Sequence, residues 1–537
     1  RDRRLAGRFQ LIATWIKPTV KDEIAHLKKP ATCDAIDLKA WISAWFIQKM
    51  DVEIIWKDHQ PLAYYGVDSI SLQRLIVDLE SYLNEPIDPT LLWKATSLNN
   101  FVAMLAQKNS SDLPVIPTVL PPSLSLSIQE EWLLSLMKKD PKNPAYTICF
   151  AFEMNEGFSE TAFQQALKTI LDRELHLRTA YLHEEKVRLL KPDISWQGEI
   201  ISLVHLSSLE QETQIGSMIK QLAHTRWDLN NPPFIKAIAI LLASDRFLIG
   251  IAASHLIVDG WGMALLIERF VNNYRHKNAE LKPSLSYAHY AIWQRQLLAD
   301  GSLNKQQIFW AETVKNWREP CLPYQSQPKP NVNVAVDYIH FDHQLIHTLK
   351  NKIKQKGLNL FNYFFAGWQL TLFNYFDQGH VTMKVLSANR FRSKTHNIIG
   401  FLANGLLFCQ HYPDKIDLDR FVNLSNSKLH QMMHAQDYPF ELLSELRKIK
   451  PHRSCKVVFN WHSFLSPKLA GTLKIKPRLD LFPDNFLWSD GTELACHVCP
   501  DGASYVAKIR YQSHLLDPAF IKELIANYQD YLYRLAW

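Results

Sequence analysis

The residues best suited to chemistry lie in the segment Ser254-His255-Leu256-Ile257-Val258-Asp259-Gly260-Trp261. His255 carries an imidazole, which titrates near neutrality and can take a proton from an amine or alcohol nucleophile. Asp259 is better suited to an ion pair that fixes the loop than to a second base. Gly260 allows a sharp turn or the close approach of a substrate. The segment predicts a proton-transfer site, with Ser254, His255, Asp259 and Gly260 as its candidate residues.

Two apolar stretches are expected to position this segment. FIKAIAILL (234–242) and FLIGIAAS (247–254) are separated by four residues, Ala243-Ser244-Asp245-Arg246, that have the character of a tight turn. Stretches of this length and composition predict a β-hairpin buried on both faces. His255 would then emerge from the end of a buried strand, where a base can be held rigidly.

The spacing H-x-x-x-D-G does not by itself establish a catalytic site. A histidine that is buried and hydrogen-bonded in a protein core gives the same local pattern. The choice between a core histidine and a base therefore depends on the rest of the chain.

Length, composition and charge limit the class of protein. The 537 residues predict more than one domain, and a hydrophobic fraction of 47% with 16 Trp, 27 Phe and 19 Tyr excludes global disorder. The net charge of +7 is small, and no stripe of Lys and Arg with interleaved aromatics supports nucleic-acid binding. No apolar run reaches membrane-spanning length, and the N-terminal residues lack the apolar stretch of a signal peptide. We expect a cytoplasmic protein without a membrane or nucleic-acid partner.

The seven cysteines are scattered, and Cys496 and Cys499 form a lone C-x-x-C. Because no second pair and no suitably spaced histidine accompany them, they do not predict a zinc or redox site. Reduced thiols are the simpler interpretation. The sequence predicts no metal.

Changes in composition divide the chain. Residues 1–32 are basic and are interpreted as a linker or the tail of an upstream domain, whereas residues 33–108 have apolar residues at helical spacing. Residues 109–123 include a proline-rich stretch that predicts an extended spacer. Strand-like and helix-like stretches then alternate in two halves, 124–317 and 318–537, which meet near a second group of prolines.

Within the small domain the informative string is Tyr64-Tyr65-Gly66-Val67-Asp68-Ser69-Ile70. The patterns before and after it, LKAWISAWFIQKM and SLQRLIVDLESYL, predict two amphipathic helices, so Ser69 is placed at the start of the second. A helix N-terminus favours an anion, and a phosphodiester on the Ser69 hydroxyl would be stabilised there. Asp and Ser are also ordinary helix caps, and that structural interpretation remains open on the residues alone.

The string L-x-x-Y-G-V-D-S-I resembles the attachment site of acyl and peptidyl carrier proteins, whose G-x-D-S serine bears 4′-phosphopantetheine. The later PIDPTLLWKATSLNNFVAML is similar to the closing part of carriers in hybrid polyketide–peptide systems. The resemblance covers residues 33–108. It implies a small all-α carrier-protein bundle, 4′-phosphopantetheine attached covalently to Ser69, and a phosphopantetheinyl transferase as a partner.

With a carrier in the chain, the histidine segment resembles the H-H-x-x-x-D-G-W motif of condensation domains of nonribosomal peptide synthetases. The second histidine, the aspartate and the glycine match as His255, Asp259 and Gly260, whereas Ser254 replaces the first histidine. Six further family motifs follow the family order across 124–537. The resemblance implies a large α/β domain of two chloramphenicol-acetyltransferase-like subdomains.

The further motifs are degenerate, and several of their residues have structural interpretations. The matching residues are Gln129, Trp132, Arg173, Leu177, Arg178, Thr179, Gly400 and Asn404, with His289 in place of an aspartate, and HAQDYPFELL (434–443) matches almost completely. We expect core packing from four aromatic residues, namely Trp293, Trp461, Tyr438 and Phe440.

Four polar residues of these regions also need an assignment. Arg178 and Arg390 are candidates for structural salt bridges, including one to Asp259. Asn404 either lines a tunnel or satisfies a turn. His434 begins a motif whose role in the family is architectural.

The resemblance implies acyl transfer in the assembly of a natural product. A fatty or polyketide-like acyl group, supplied by an upstream acyl-loading or polyketide synthase module, arrives as a thioester on the pantetheine of Ser69. It meets a nucleophile, preferably an amine, in a tunnel between the two halves of the large domain. His255 then acts as general base, or positions a neutral amine. The acceptor is a free amine or alcohol, or a group on a downstream carrier.

Two other functions stay open. Ser254 and the altered motifs are also compatible with a non-catalytic module that docks a carrier or recruits another enzyme. An ester-forming or chain-releasing domain would keep the mechanism and use an alcohol, and this alternative is favoured because the sequence stops at Trp537, where the condensation fold should end, with no downstream carrier. A piece of a longer protein would end in the same way, and a chain that begins with Arg1 is expected to be such a piece.

Overall fold

In the computed structural model, the described residues are 35–50, 75–76, 78–80, 82–83, 87, 91, 95, 97–106, 116–121, 124–140, 143–182, 187–191, 194–275, 285–327, 334–356, 358–376, 379–413, 415–447, 455–462, 467–481, 490–502 and 504–537. The chain divides into two compact units. The smaller consists of Arg1–Asp112, Leu349–Leu360 and Phe391–Ser393, and the larger comprises Leu113–Thr348, Phe361–Arg390 and Lys394–Trp537.

The described part of the smaller unit is helical where the sequence predicts it. Helix α1 spans Ala35–Met50 and α2 spans Leu98–Ala106, and residues 75–76, 78–80 and 82–83 are also helical. The apolar residues of α1 recur at positions 38, 41, 42, 45 and 46, and all five are buried. This spacing places them on one face of the helix, so the predicted amphipathic helix is confirmed.

The remaining helices and strands are numbered along the chain. The strands are β1 (Leu124–Ser125), β2 (Thr147–Met154), β3 (Thr179–Leu182), β4 (Val187–Leu190), β5 (Glu199–Ser202), β6 (Ile235–Ala243), β7 (Arg246–Ser254), β8 (Val334–Phe341), β9 (His380–Ser387), β10 (Asn404–His411), β11 (Val457–Trp461), β12 (Ile475–Pro477), β13 (Leu494–Asp501) and β14 (Ser504–Gln512). The helices are α3 (Ile128–Lys139), α4 (Glu160–Arg173), α5 (Ser208–Ala223), α6 (Gly260–Tyr274), α7 (Tyr287–Ala299), α8 (Asn304–Lys315), α9 (His343–Lys356), α10 (Leu360–Leu372), α11 (Ser393–His396), α12 (Leu418–Met433), α13 (Leu443–Arg447), α14 (Pro467–Leu473) and α15 (Pro518–Ala536).

A five-stranded sheet, in the order β12-β2-β7-β6-β5, carries the histidine segment. Strands β6 and β7 pair antiparallel and are joined by a turn at Ser244 and Asp245, which confirms the predicted hairpin. Every residue of β7 after Arg246 is buried. Strand β12 comes from the second half of the chain and pairs with β2, and next to it Arg478 forms a salt bridge with Glu153 at 2.8 Å.

A six-stranded sheet, in the order β10-β9-β11-β13-β14-β8, forms the second half. One of its faces packs on α10 and α15, as shown by the contacts of Trp461 with Phe364 and of Phe341 with Tyr528. Because side chains alternate along a strand, Asn460 lies on the other face, as does its register partner on β13, His497.

A short three-stranded sheet, in the order β1-β4-β3, completes the described sheets. Helices cover both large sheets, in agreement with the predicted α/β body. None of the helices within the described ranges is long and apolar enough to cross a membrane.

Candidate active site

The histidine loop, residues 254–260, begins where β7 ends. Ser254 is fully buried, and its backbone N–H donates to the carbonyl oxygen of Phe234 at 2.9 Å. The N–H of His255 donates to the carbonyl oxygen of Tyr146 at 2.7 Å. The backbone hydrogen bonding of the strand therefore continues onto the residue that carries the imidazole. This rigid attachment at the end of a buried strand is the position that the sequence predicts for His255.

The imidazole of His255 is partly exposed and packs against Phe401, with ring centroids 4.3 Å apart. Its Nδ1 is buried and has no hydrogen-bond partner among the described residues. Burial lowers the pKa of His255, and the backbone of His255, the Asp259 carboxylate and the backbone of Val258 offset part of that effect. The lowered pKa leaves the imidazole neutral at neutral pH, which is the form that a base needs.

Asp259 caps helix α6 and is almost fully buried. Its Oδ1 accepts the N–H of Gly262 at 2.7 Å, and its Oδ2 accepts those of Leu402 at 3.0 Å and Ala403 at 2.9 Å. Arg390 donates to both carboxylate oxygens, at 2.9 and 3.2 Å. The ion-pair role that the sequence suggests for Asp259 is thus present, with Arg390 as the partner. Arg178 instead donates to the backbone oxygen of Asp172 at 3.3 Å.

The other two predicted residues of the loop take part through the backbone. The Oγ of Ser254 accepts the N–H of Leu256 at 3.4 Å, a long hydrogen bond inside the turn. Gly260 is partly exposed and is the first residue of α6. A steric requirement falls on Gly262, where a Cβ would lie 2.9 Å from Val258 Cγ2 and 3.2 Å from the Gly400 oxygen. Gly262 was not among the predicted residues, although it follows the motif directly.

A buried ion pair between Arg188 and Glu130 supports the histidine loop through Tyr181. Arg188 and Glu130 have fully buried side chains, and Arg188 Nε donates to Glu130 Oε1 at 2.9 Å. The Tyr181 hydroxyl lies 3.1 Å from the same Oε1 and 3.3 Å from the carbonyl oxygen of Leu256. Leu256, the residue after His255, is therefore held at both of its backbone groups: its N–H by Ser254 and its carbonyl oxygen by Tyr181. Sequence reasoning missed this ion pair, and the only available signal was Glu130 at the third position of a capping box.

His176 lies beside this ion pair and is 2% exposed. Its ring packs against Tyr287 at a tilt of 49°, with centroids 4.8 Å apart, and neither ring nitrogen has a hydrogen-bond partner in the part of the chain that the structure describes. Burial, followed by the positive charge of Arg188, lowers its pKa to about 3, against the opposing effects of Glu130 and the Leu256 backbone. His176 is therefore a neutral core residue.

Residues of the further motifs are mostly structural. Gln129 is fully buried and its Oε1 accepts from Gln294 Nε2 at 2.8 Å. His289, which replaces an aspartate, accepts the N–H of Ser286 through Nδ1 at 3.0 Å and so caps α7. Of the other matching residues, Leu177 and Thr179 are buried, Trp132 and Arg178 are partly exposed, and Arg173 is exposed.

Asn404 organises the turn that follows α12. Its Nδ2 donates to the backbone oxygens of Gln436 at 2.8 Å and Tyr438 at 2.9 Å, and its Oδ1 accepts the N–H of Phe440 at 3.0 Å. Of the two alternatives for Asn404, the structure supports the one that satisfies a turn. His434 is the C-cap residue of α12 at the start of this segment.

The predicted core aromatics are buried, apart from one on β11. Trp293 is 2% exposed, and Tyr438 and Phe440 are also buried. Trp461 keeps part of its surface exposed and packs on Phe364. All four serve packing, as expected from their residue type.

Two predictions concern residues outside the histidine loop. Ser69 and its neighbours lie outside the described residues. Cys496 and Cys499 lie on β13 three positions apart, so their side chains are on opposite faces of the strand. Side chains on opposite faces of a strand cannot bind the same metal ion, so Cys496 and Cys499 do not form a metal site together.

Comparison with protein families finds two matches in this chain. Residues 124–536 match the family described as condensation domain, and residues 41–105 match the family described as phosphopantetheine attachment site. The first match alone covers more than half of the chain.

The chain is also similar in sequence to curated proteins that are named as synthases or synthetases. The chain is 24% identical over 511 residues to a linear gramicidin synthase from Brevibacillus parabrevis, a match that covers 92% of this chain and 6% of the relative. It is 23% identical over 413 residues to malpinin synthetase of Mortierella alpina, covering 72% of this chain and 5% of the relative. The chain thus spans only a small fraction of the length of these relatives.

Solved structures share the fold. The SgcC5 protein of Streptomyces globisporus matches with a TM-score of 0.64 at 17% identity, covering 77% of this chain and 98% of that one. The EpoB cyclization-docking bidomain of Sorangium cellulosum matches with a TM-score of 0.65 at 14% identity, covering 94% and 99%. The X-domain from teicoplanin biosynthesis matches with a TM-score of 0.65 at 15% identity, covering 80% and 97%.

These findings confirm several predictions. They bear out the order of a carrier domain before a condensation domain, the fold class, and 4′-phosphopantetheine as the cofactor of the carrier. They also bear out the class of enzyme, an acyltransferase of nonribosomal peptide assembly. The chain belongs to the condensation-domain family and carries a phosphopantetheine attachment domain ahead of its condensation domain.

Proposed function

We propose that this chain forms an amide bond by transferring an acyl group from a thioester on its own carrier domain to an amine, with His255 at the reacting centre. The observation that carries the proposal is the state of His255. Its imidazole is neutral and partly exposed, and its Nδ1 has no hydrogen-bond partner within the described residues, whereas the Asp259 oxygens are fully used in holding the loop. Only the histidine of this loop is available for proton transfer.

The donor is a thioester on 4′-phosphopantetheine, for which we propose Ser69 as the attachment residue. Pantetheine supplies a thiol on a long arm that presents the acyl group as an activated ester. The amine nitrogen attacks the thioester carbonyl carbon, so that a C–N bond forms and the C–S bond breaks. His255 takes the proton that the amine nitrogen loses and returns it to the departing sulfur. Such general-base help contributes typically about 10²- to 10⁴-fold to the rate.

The other predicted residues are proposed to position His255. Asp259 does so through Arg390, because their ion pair fixes the end of the histidine loop. Ser254 holds the N–H of Leu256, which a histidine at the same position would not do in the same way. Gly260 keeps the first turn of α6 free of a side chain where a substrate approaches.

The partners follow from the same reaction. A phosphopantetheinyl transferase is needed to load the carrier. An upstream acyl-loading or polyketide synthase module would supply the acyl group. The acceptor is an amine, either free or held on a downstream carrier.

Intact-protein mass spectrometry tests the proposal. The parent chain is loaded with acyl-pantetheine by a phosphopantetheinyl transferase and then mixed with a set of amines or alcohols. The parent is expected to lose the acyl mass to an amine. The variant Ser69→Ala is expected to gain no pantetheine mass, and His255→Ala to load normally but to transfer at least 100-fold more slowly.

A matched control is His340→Ala, because the His340 side chain is 72% exposed on β8 and its loss should change neither loading nor transfer. Unchanged turnover in His255→Ala would remove the catalytic assignment. Transfer only to alcohols would identify an ester-forming domain. No transfer by the parent to any acceptor would favour the docking module.

A further inference from the structure

Asn389, two residues after the end of β9, has a backbone conformation that few residues other than glycine adopt. Its φ is +51°, in the left-handed region, and the residue is 6% exposed. Of the non-glycine residues that the structure describes, only Lys474, at +50°, shares a positive φ. A left-handed backbone brings Cβ close to the following carbonyl oxygen, and a buried residue keeps this conformation only where its surroundings require it.

Hydrogen bonds hold the turn at Asn389 from two sides. Its backbone N–H donates to Ser387 Oγ at 3.1 Å, and its side-chain Nδ2 donates to the hydroxyl of Tyr290 on α7 at 3.0 Å. Ser387 Oγ in turn donates to Gln436 Oε1 at 3.0 Å. Asparagine is also among the non-glycine residues that tolerate the left-handed region best. Residue type and contacts therefore fix the same backbone conformation.

The turn directly precedes Arg390, the partner of the buried Asp259 carboxylate. The Arg390 side chain is fully buried, and besides Asp259 it binds the backbone oxygens of Ile398 at 2.6 Å and Gly400 at 3.2 Å. An ordinary right-handed or extended residue at position 389 would rotate φ by more than about 100°. Because the guanidinium is enclosed, the direction in which the chain leaves Asn389 decides whether it reaches Asp259.

We propose that Asn389 is a positioning residue for acyl transfer, which directs Arg390 to Asp259 and so fixes the end of the histidine loop. The inference rests on the proposed function, because it takes the loop to carry the reacting imidazole. The left-handed backbone of Asn389 sets the direction of the chain, and its hydrogen bonds hold that conformation. Asn389 acts on the loop only through Arg390.

Two roles of a buried asparagine predict opposite orders for two variants. Glycine adopts the left-handed region readily but removes the whole side chain, whereas alanine keeps a Cβ and is disfavoured there. If Asn389 only fills space and forms hydrogen bonds, Asn389→Gly removes more atoms and is the more damaging variant. If its backbone directs Arg390, Asn389→Ala is the more damaging variant.

The mass-spectrometric transfer assay on the full, loaded chain separates these roles. It gives the rate constant for loss of the acyl mass at saturating amine and the amine concentration that supports half of that rate. Since misplaced reacting groups slow the chemical step, we expect Asn389→Ala to lower the rate constant at least about tenfold, with the half-saturating concentration unchanged. Asn389→Gly should stay within about threefold of the parent. A parental rate constant in Asn389→Ala, or slower transfer in Asn389→Gly than in Asn389→Ala, would overturn the proposal.

Lys474 is the matched control, because it has the same backbone conformation at an exposed position after α14. Lys474→Ala and Lys474→Gly change a left-handed residue outside the turn that precedes Arg390. Both should transfer the acyl group at the parental rate. A loss at Lys474 equal to that of Asn389→Ala would show that disturbing any left-handed residue slows the protein, and would remove the assignment of Asn389.

Hydrogen exchange followed by mass spectrometry gives a readout that does not depend on transfer. A displaced Arg390 should loosen Asp259 and speed the exchange of the backbone N–H groups that this carboxylate accepts. These groups belong to Gly262, Leu402 and Ala403. We expect at least about tenfold faster exchange in Asn389→Ala and parental exchange in Asn389→Gly. Unchanged exchange in Asn389→Ala would overturn the inference even if the parent transfers no acyl group.

The two proposals fail in different ways. Parental transfer by His255→Ala, together with faster exchange in Asn389→Ala, would refute the proposed function and leave the link from Asn389 to Arg390 intact. Slow transfer by His255→Ala, together with parental transfer and exchange in Asn389→Ala, would refute only the role of Asn389.

A second variant keeps the test decisive if Asn389→Ala does not fold, which circular dichroism would reveal. Tyr290→Phe removes the hydroxyl to which Asn389 donates and should slow transfer at saturating amine at least about threefold. Its control is Tyr528→Phe, which also removes a fully buried hydroxyl, one that donates to the Phe364 oxygen at 3.1 Å. Equal rate constants in the two tyrosine variants would contradict the proposal.

Discussion

The Asp259 carboxylate and the Arg390 guanidinium form a buried ion pair that joins the histidine loop to the second half of the large domain. Their side chains are 2% and 0% exposed, with Nη2 of Arg390 2.9 Å from Oδ1 of Asp259. Arg390 also donates through Nη1 to the backbone oxygens of Thr395 at 3.0 Å and Ile398 at 2.6 Å. Arg390 thus supplies the counter-charge of the buried Asp259 carboxylate, which three backbone N–H groups also hold at the end of the loop that carries His255.

Removing the arginine should be costly. Arg390→Met leaves the Asp259 carboxylate buried without its counter-charge, and breaking a buried pair from one side costs about 3–5 kcal/mol. We expect that loss in the free energy of unfolding measured by urea denaturation. Arg534→Met is the matched control, because Arg534 and Asp530 form an exposed pair with side chains 62% and 51% accessible. An exposed pair contributes about 0–1 kcal/mol, and equal losses in the two variants would refute the role assigned to Arg390.

The pH dependence of acyl transfer should reflect the partly buried imidazole of His255. Burial lowers the pKa of His255 below its ordinary value of 6.5, so the neutral base persists into mildly acidic solution. As pH falls through the lowered pKa, the imidazole gains a proton and can no longer accept one from the amine. We expect kcat/KM for a loaded carrier to fall with a midpoint below 6.5, and the residual activity of His255→Ala to lack that limb. A midpoint above 6.5 in the parent would contradict the burial of His255.

His176 predicts a pH dependence of stability instead of activity. Its folded-state pKa of about 3 lies below the ordinary value of 6.5, so the unfolded chain binds a proton that the folded chain does not between these two values. Stability is therefore lost as pH falls through that window. The variant His176→Leu removes this loss of stability, which amounts to about 2 kcal/mol at pH 5. When the pH is lowered from 8 to 5, the free energy of unfolding of the variant should therefore rise by that amount relative to the parent. A constant difference would show that folding does not lower the pKa of His176.

Local patterns in the sequence predict the elements that are set by local chemistry. The β6–β7 hairpin follows from two apolar stretches around Ser244 and Asp245, and α1 follows from apolar residues at helical spacing. The position of His255 at the end of β7 follows from the same hairpin. Each of these features depends on residues that are close along the chain, with Ile235 and Ala253 as the most distant pair of the hairpin.

Features that depend on distant pairs were not predictable in the same way. Arg178 and Arg390 were equal candidates for Asp259, and only the tertiary structure brings one of them to it. The pairing of Glu130 with Arg188 joins residues 58 positions apart and leaves no periodic signal. Strand β12 is three residues long, too short to be detected, and it joins the first sheet through tertiary packing.

Gly400 provides a steric test of the loop support. A Cβ at Gly400 would lie 2.2 Å from Cδ2 of Tyr287, and Tyr287 cannot move aside because its buried hydroxyl donates to the Phe401 oxygen at 2.7 Å. The Gly400 carbonyl accepts the N–H of Asp259 at 3.1 Å, so a shift of this backbone would displace the capping residue of α6. We expect Gly400→Ala to lower the free energy of unfolding by about 1–3 kcal/mol, as for an overpacked core, and to slow acyl transfer.

Gly157→Ala is the matched control for this steric effect. No described atom lies within 4 Å of a Cβ at Gly157, and the residue is exposed. The control should stay within about 0.5 kcal/mol of the parent, as exposed substitutions usually do, and should transfer the acyl group at the parental rate. Urea denaturation and the mass-spectrometric transfer assay measure both effects. Parental stability together with parental transfer in Gly400→Ala would show that the contact between Gly400 and Tyr287 does not hold the histidine loop in place.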